Sequence, residues 1–292
     1  MNRIKGILYA AVSSSTFGLA PFFSITLLLA GFSAFEVLSY RWGVASIVLI
    51  VFGWLSGCNF RLAGKDWGVV FLLSLLRAVT SFSLIIAYQN IASGVASTIH
   101  FMYPLAVALV MMFFFREKKS LLVILAVLMS LLGAALLSLG ELEAKSGNTM
   151  VGLVAACVSV FSYAGYIVGV RTTRAVQINS TVLTCYVMGL GTIFYFIGAY
   201  CTSGLQLVSD GYTWLIILGL ALPATAISNI TLVQAIKYAG PTLTSILGAM
   251  EPLTAVVIGV FVFKELFTVN SAVGIILILL AVSIVVFRRQ KS

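Results

Sequence analysis

The chain has 292 residues, 61% of them hydrophobic and 9% charged, with a net charge of +9 and a mean hydropathy of +1.15. Soluble domains carry about 25% charged residues, so the composition excludes a water-soluble globule and implies an integral membrane protein in a lipid bilayer. The basic excess sits at the ends of apolar runs, which is a positive-inside pattern and not a nucleic-acid surface.

Runs of about 20 residues that are apolar on every side predict helices and not the alternating strands of a barrel. Ten spans follow: Ile4 to Ala30, Phe35 to Leu55, Trp67 to Ala87, Ala92 to Phe115, Leu121 to Leu139, Met150 to Val170, Val182 to Cys201, Tyr212 to Ile236, Thr242 to Phe263 and Val269 to Phe287. The first run is longer than a signal-peptide core, so it is expected to be a retained span. The connections are short and leave no room for a soluble domain. Cys58, Cys157, Cys185 and Cys201 have no metal-ligand spacing and are expected to be free thiols. No metal site and no cofactor motif is visible.

With both termini placed in the cytoplasm, thirteen of the seventeen basic residues fall on the inner side. Lys145 and Lys264 fall outside, and Arg41 and Arg77 lie within spans, so the bias sets this orientation.

The stretch from Ala96 to Ser120 repeats 148 positions later from Thr244 to Thr268 without a gap. Ser97, Met102, Pro104, Leu105, Phe113, Phe115 and Glu117 match Ser245, Met250, Pro252, Leu253, Phe261, Phe263 and Glu265. Gly6, Ala10, Val12 and Ser13 also match Gly152, Ala156, Val158 and Ser159. The polar segment Gly140 to Thr149 divides five spans from five, giving repeats at 1–144 and 145–292 within one compact transmembrane unit. An odd number of spans repeated in tandem makes the second copy enter from the opposite face. The expected fold is therefore an all-α membrane protein of ten transmembrane helices in two inverted five-helix repeats, a construction of secondary transporters with a midplane site.

Span nine carries Glu251 on a face otherwise small, with Thr244, Gly248, Ala255 and Gly259 at helical spacing. It lies roughly 16 Å from the cytoplasmic end at helical rise. A carboxylate at that depth costs about 2.5 to 3.5 kcal/mol on insertion scales, so it reads as a carrier of a proton or a substrate ammonium, or as half of a buried ion pair. At the 148-residue offset Gly248 maps onto His100 and Glu251 itself onto Tyr103 in span four. His100, the only histidine, suits a proton role or a hydrogen bond to a neighbouring helix.

Ser74, Arg77, Ser81 and Tyr88 form one polar stripe on span three. Arg77 suits a substrate carboxylate or phosphate, or a structural pairing with Glu251. Arg41 is expected to snorkel towards the interface. Asn229 and Gln234, near helix-breaking Pro223, are read as cavity lining or as interhelical hydrogen-bond partners. Pro104 and Pro252 should bend their helices at a gating position. Glu117 and Glu265 are read as structural, and Gly165 and Gly169 as packing positions within the bundle. No hydrolase, P-loop or dinucleotide motif occurs, so the reading is not an enzyme.

Together with the Phe17-Gly18 pair in span one, Arg41 in span two, and the Pro104 to Glu117 and Pro252 to Glu265 helix ends, the whole chain resembles the drug/metabolite transporter superfamily in its EamA-type branch. The resemblance implies a bacterial inner-membrane carrier with a central cavity, working by alternating access, often as an exporter of amino acids or related metabolites. The expected activity is secondary transport of a small-molecule substrate, with protons as a candidate coupling ion, by a monomer or a homodimer. Arg77 and Glu251 would meet a substrate's carboxylate and ammonium, with Tyr88, Tyr103 and Phe101 packing its side chain. The alternatives are a sugar, sugar-phosphate or nucleotide-sugar carrier and, in a different class, a non-transporting membrane scaffold.

Overall fold

A computed structural model of the chain describes residues 2–91, 93–117, 121–138, 147–202, 204–251, 253–254 and 269–288. The described residues are all-α. In chain order the helices are α1 (Asn2–Phe17), α2 (Ala20–Leu29), α3 (Ala34–Leu55), α4 (Trp67–Asn90), α5 (Ser93–His100), α6 (Tyr103–Phe113) and α7 (Leu121–Ser138). The second half contributes α8 (Thr149–Thr172), α9 (Ser180–Cys201), α10 (Gly211–Ala221), α11 (Ser228–Ala239), α12 (Pro241–Leu247) and α13 (Val269–Arg288). Seven described helical segments are long and apolar enough to cross a membrane. Shorter apolar helices at Leu121–Gly133 and Ala272–Ile284 belong to the fifth and tenth spans.

The molecule is inside-out relative to a soluble fold. Ile47, Phe52, Phe161 and Ile197 project outward, whereas Ser74, Arg77, Thr184 and Asn229 are buried. Apolar side chains need no shielding from lipid, while polar groups in hydrocarbon need partners, so the polar groups collect between helices.

Helix ends follow local chemistry. Ser33 and Glu36 form a reciprocal capping box at the start of α3, which satisfies two orphan donors. Asn148 and Asn179 accept from the first-turn amides of α8 and α9. Asn179, which with Ser180 and Thr181 has the pattern of a glycosylation sequon, thus serves as a helix cap.

Three spans expected as continuous helices are interrupted. Span one breaks at Gly18 and Leu19, span four at Phe101 and Met102, and span nine at Gly248 and Ala249. Pro21 and Pro104 each fall in the first turn of the helix that resumes. A proline there removes a donor the new helix does not need, so the interruption lies just ahead of the ring and not at it. Pro252 lies outside the described residues, but the break ahead of it occupies nearly the same register as the break ahead of Pro104 once the 148-residue offset is applied. Pro223 acts differently, opening a π-helical turn over Leu222–Ile227 between α10 and α11.

The most extensive packing joins α4 to α8, α1 to α11, α7 to α13 and α3 to α9. In spans these are three with six, one with eight, five with ten, and two with seven. Exchanging each span with its duplicate turns the first pair into the second and leaves the other two unchanged, as a two-fold relation between duplicated halves requires. Gly133 packs against the Gly274 carbonyl on this axis, and Gly169 against Leu73. Gly165 and Gly169 therefore serve packing of α8 on α4 within the bundle.

The broken spans meet at their breaks. A Cβ on Gly18 would stand 2.7 Å from the Glu251 carbonyl oxygen, and one on Gly248 would collide with the Tyr103 hydroxyl. Tyr103 is buried and held by its neighbours, so it cannot swing aside freely. Gly248→Ala is expected to lower stability by about 1 to 3 kcal/mol as overpacking does, with partial rescue by Tyr103→Phe, which removes the clashing oxygen. Thermal unfolding of the two single variants and the double variant measures this; an unchanged midpoint for Gly248→Ala would refute the close approach.

Candidate functional site

Between α2, α3 and α4 lies a narrow cleft lined by Phe17, Ser24, Arg41, Arg77, Ser81 and Tyr88, among others. It holds about 20 Å³ free for water-sized occupants, roughly the space of one water. The cleft is narrow in this conformation.

Arg77 is the eleventh residue of α4 and is only 1% exposed. Its Nε donates to Asn229 Oδ1 at 3.1 Å and its Nη1 to Ser81 Oγ at 3.4 Å. The guanidinium carbon lies 5.2 Å from the Phe17 ring centre, 4.9 Å from that of Tyr163 and 5.9 Å from that of Tyr166. Aromatic faces attract a cation by about 0.5 to 2 kcal/mol each, the upper end applying when it is desolvated. Three rings thus offset part of the cost of burying this charge.

Arg41 turns inward, contrary to the expected snorkelling, and is 4% exposed. Its Nε donates to Thr225 Oγ1 at 2.6 Å and its Nη2 approaches the Ala224 carbonyl at 3.4 Å. Its guanidinium stands 5.5 Å from the same Phe17 ring. The cause is the π-helical turn after Pro223. Asn229 Nδ2 donates to the Thr225 carbonyl at 2.7 Å, and Thr225 Oγ1 donates to the Leu220 carbonyl at 2.7 Å. The turn thus presents Thr225 and the Ala224 carbonyl to Arg41, and positions the Asn229 oxygen for Arg77.

Glu251 does not line the cleft and forms no ion pair with Arg77. It lies where span nine resumes after its break, half-buried, and accepts from the Tyr103 hydroxyl at 3.5 Å, a long contact. The expected joint grip of Arg77 and Glu251 on one substrate is absent from this conformation, and so is their structural pairing. Tyr103 links the two regions indirectly, since its ring meets Tyr163 edge-on at 4.6 Å and Tyr163 covers Arg77.

His100 lies behind this layer. Its Nδ1 shares a 2.8 Å hydrogen bond with Ser159 Oγ, and its ring stacks on Tyr163 at 5.4 Å. It packs between helices and does not face the cleft. Tyr88 lines the cleft and lies 3.3 Å from Ser97 Oγ. Phe101 is buried in the core against Tyr103 and is not a cleft residue. Asn229 acts by holding Arg77, while Gln234 is half-buried on α11 away from the cleft lining. Glu117 accepts from Thr242 Oγ1 at 2.6 Å, tying the end of span four to the start of span nine as a structural contact. Glu265 lies outside the described residues, as do Ala255 and Gly259. The four cysteines are free.

The residues that sequence reasoning missed are Phe17, Tyr163, Tyr166 and Thr225. The spacing of Tyr163 and Tyr166, one turn apart on α8, was a legible signal of two phenols on one buried face. Thr225 had none, because its role depends on the π-helical turn.

Two buried cations on α3 and α4, inside a duplicated bundle whose outer face is apolar, are features of a polytopic membrane protein. The EamA-like transporter family matches residues 4–139 and 150–287, and the chain belongs to that family, with two EamA domains and hence to the drug/metabolite transporter superfamily. None of the curated proteins matches. A solved structure titled only "Crystal structure of protein" is similar with a TM-score of 0.78 at 17% identity, over 97% of this chain and 96% of that one; at that identity the likeness concerns the fold alone.

Proposed function

We propose that the chain is a secondary transporter exporting small metabolites, such as amino acids or their derivatives, by alternating access about a midplane cavity. The two halves, residues 1–144 and 145–292, work as one transmembrane unit in a cytoplasmic membrane with both termini inside. The observation that supports this reading most is the buried Arg77, held by Asn229 and three rings beside a cleft that abuts the break in span one. A rigid scaffold has no use for a buried cation that, among the described residues, pairs with no carboxylate. Span interruptions give each half-helix freedom to tilt on its own, and Glu251, next to two such breaks, serves as the proton-coupling carboxylate. A sugar-phosphate carrier is the second reading, favoured by the presence of Arg41 beside Arg77 in one cleft.

The test is flux in liposomes that contain the purified protein and a trapped pH dye, challenged with amino acids and sugar phosphates. Substrate-dependent proton movement is the expected result. Radiolabelled uptake without a proton signal would make the chain a facilitator, and absence of flux for every compound would overturn transport of these classes.

A further inference from the structure

The cleft contains two guanidinium groups and, among the described residues that line it, no carboxylate. Arg41 engages protein through Nε and Nη2, and Arg77 through Nε and Nη1. Each arginine has five N–H donors, and among the described residues no hydrogen bond from Nη1 of Arg41 or Nη2 of Arg77 is formed. Both side chains are more than nine-tenths buried, and both stand over one ring, that of Phe17. Two like charges sharing one ring repel each other, and an anion placed between them reverses the sign of that interaction.

We propose that Arg41 and Arg77 form an oxyanion subsite, so that the transported metabolite carries net negative charge and docks a carboxylate or phosphate across the two guanidiniums above Phe17. The proposal rests on the transporter reading of the same cleft and narrows it. An ammonium group entering here meets two cations and, among the described lining residues, no carboxylate, since Glu251 is not one of them. Zwitterions are therefore disfavoured relative to dicarboxylates and phosphate monoesters. Ser24, Thr80 and Ser81 add neutral hydroxyls to the lining, which suit the remaining polar atoms of such a metabolite. The guanidinium fork matches either oxyanion in two-point contact, so the two sources share one recognition chemistry.

The experiment measures binding to the full-length protein in nanodiscs by calorimetry, with inorganic phosphate, glycerol phosphate, succinate, leucine and glucose as probes. Either the phosphates or succinate should bind, identifying the oxyanion, and leucine and glucose should bind far more weakly. Arg41→Gln should lower anion affinity by roughly tenfold to a hundredfold, the range of one charge-assisted contact. Arg41→Lys keeps the charge but loses the fork, so a smaller loss is expected and the test survives if Arg41→Gln fails to fold. Arg61→Gln, in the segment before α4, should leave affinity unchanged. Leucine binding as tightly as the anions, no anion binding to folded protein, or affinity within twofold of wild type in Arg41→Gln would overturn the subsite. Counterflow in liposomes separates the two readings. Leucine exchange without anion exchange keeps the transporter and refutes the subsite, whereas anion binding with no exchange of any compound keeps the subsite and refutes transport.

Discussion

Arg77→Ala is expected to abolish substrate flux, lowering it at least roughly a hundredfold, while leaving a folded protein. Three losses coincide in that variant. The cleft loses a guanidinium that neither Ser81 nor Asn229 replaces, and the Asn229 oxygen loses its donor, which costs about 1 to 3 kcal/mol when buried. The faces of Phe17, Tyr163 and Tyr166 also lose the cation they surround. Against these stands a gain, because a buried charge no longer has to be stripped of solvent, and replacing such charges by apolar groups is often neutral for stability. Arg77→Met, which fills most of the same volume, isolates the charge from the cavity. Both variants are checked by counterflow in liposomes beside thermal unfolding in detergent. Wild-type flux in Arg77→Met would remove Arg77 from the transport site.

Glu251→Gln should separate coupling from movement. Glutamine keeps the size of glutamate and still accepts from the Tyr103 hydroxyl, so the junction of the three broken spans is preserved. It cannot bind and release a proton in the transport cycle. Substrate-driven proton flux should vanish, while exchange of labelled for unlabelled substrate across the membrane should continue. The comparison uses the trapped pH dye and counterflow on the same liposomes. Equal proton flux in both proteins would show that Glu251 is structural, and loss of exchange as well would make it part of the translocation machinery itself. Tyr103→Phe should have a weaker effect of the same kind, because the contact it removes is long.

Much of the architecture is legible in the chain alone, because a bilayer imposes length and polarity on every segment. A span must be about 20 apolar residues long, so the spans announce themselves. The 148-residue offset linking Pro104 to Pro252 and Glu117 to Glu265 revealed the duplication without coordinates. Depth is also readable: Arg77 and Glu251 stand out because a charge so far from a helix end needs a reason.

Only the tertiary structure decided how these residues combine. Arg41 reads as a snorkelling side chain from its distance to the helix start, but the π-helical turn after Pro223 offers it an acceptor on the opposite side. Arg77 and Glu251, at similar depth, were natural partners on paper, yet Tyr163 and Tyr103 stand between them and each keeps different company. Phe17 gained importance only when two cations from different helices were found over its ring. Depth along a helix follows from residue count, since rise per residue is constant. Direction around the helix and choice of partner depend on breaks, turns and neighbouring helices far apart in sequence, which no local spacing encodes.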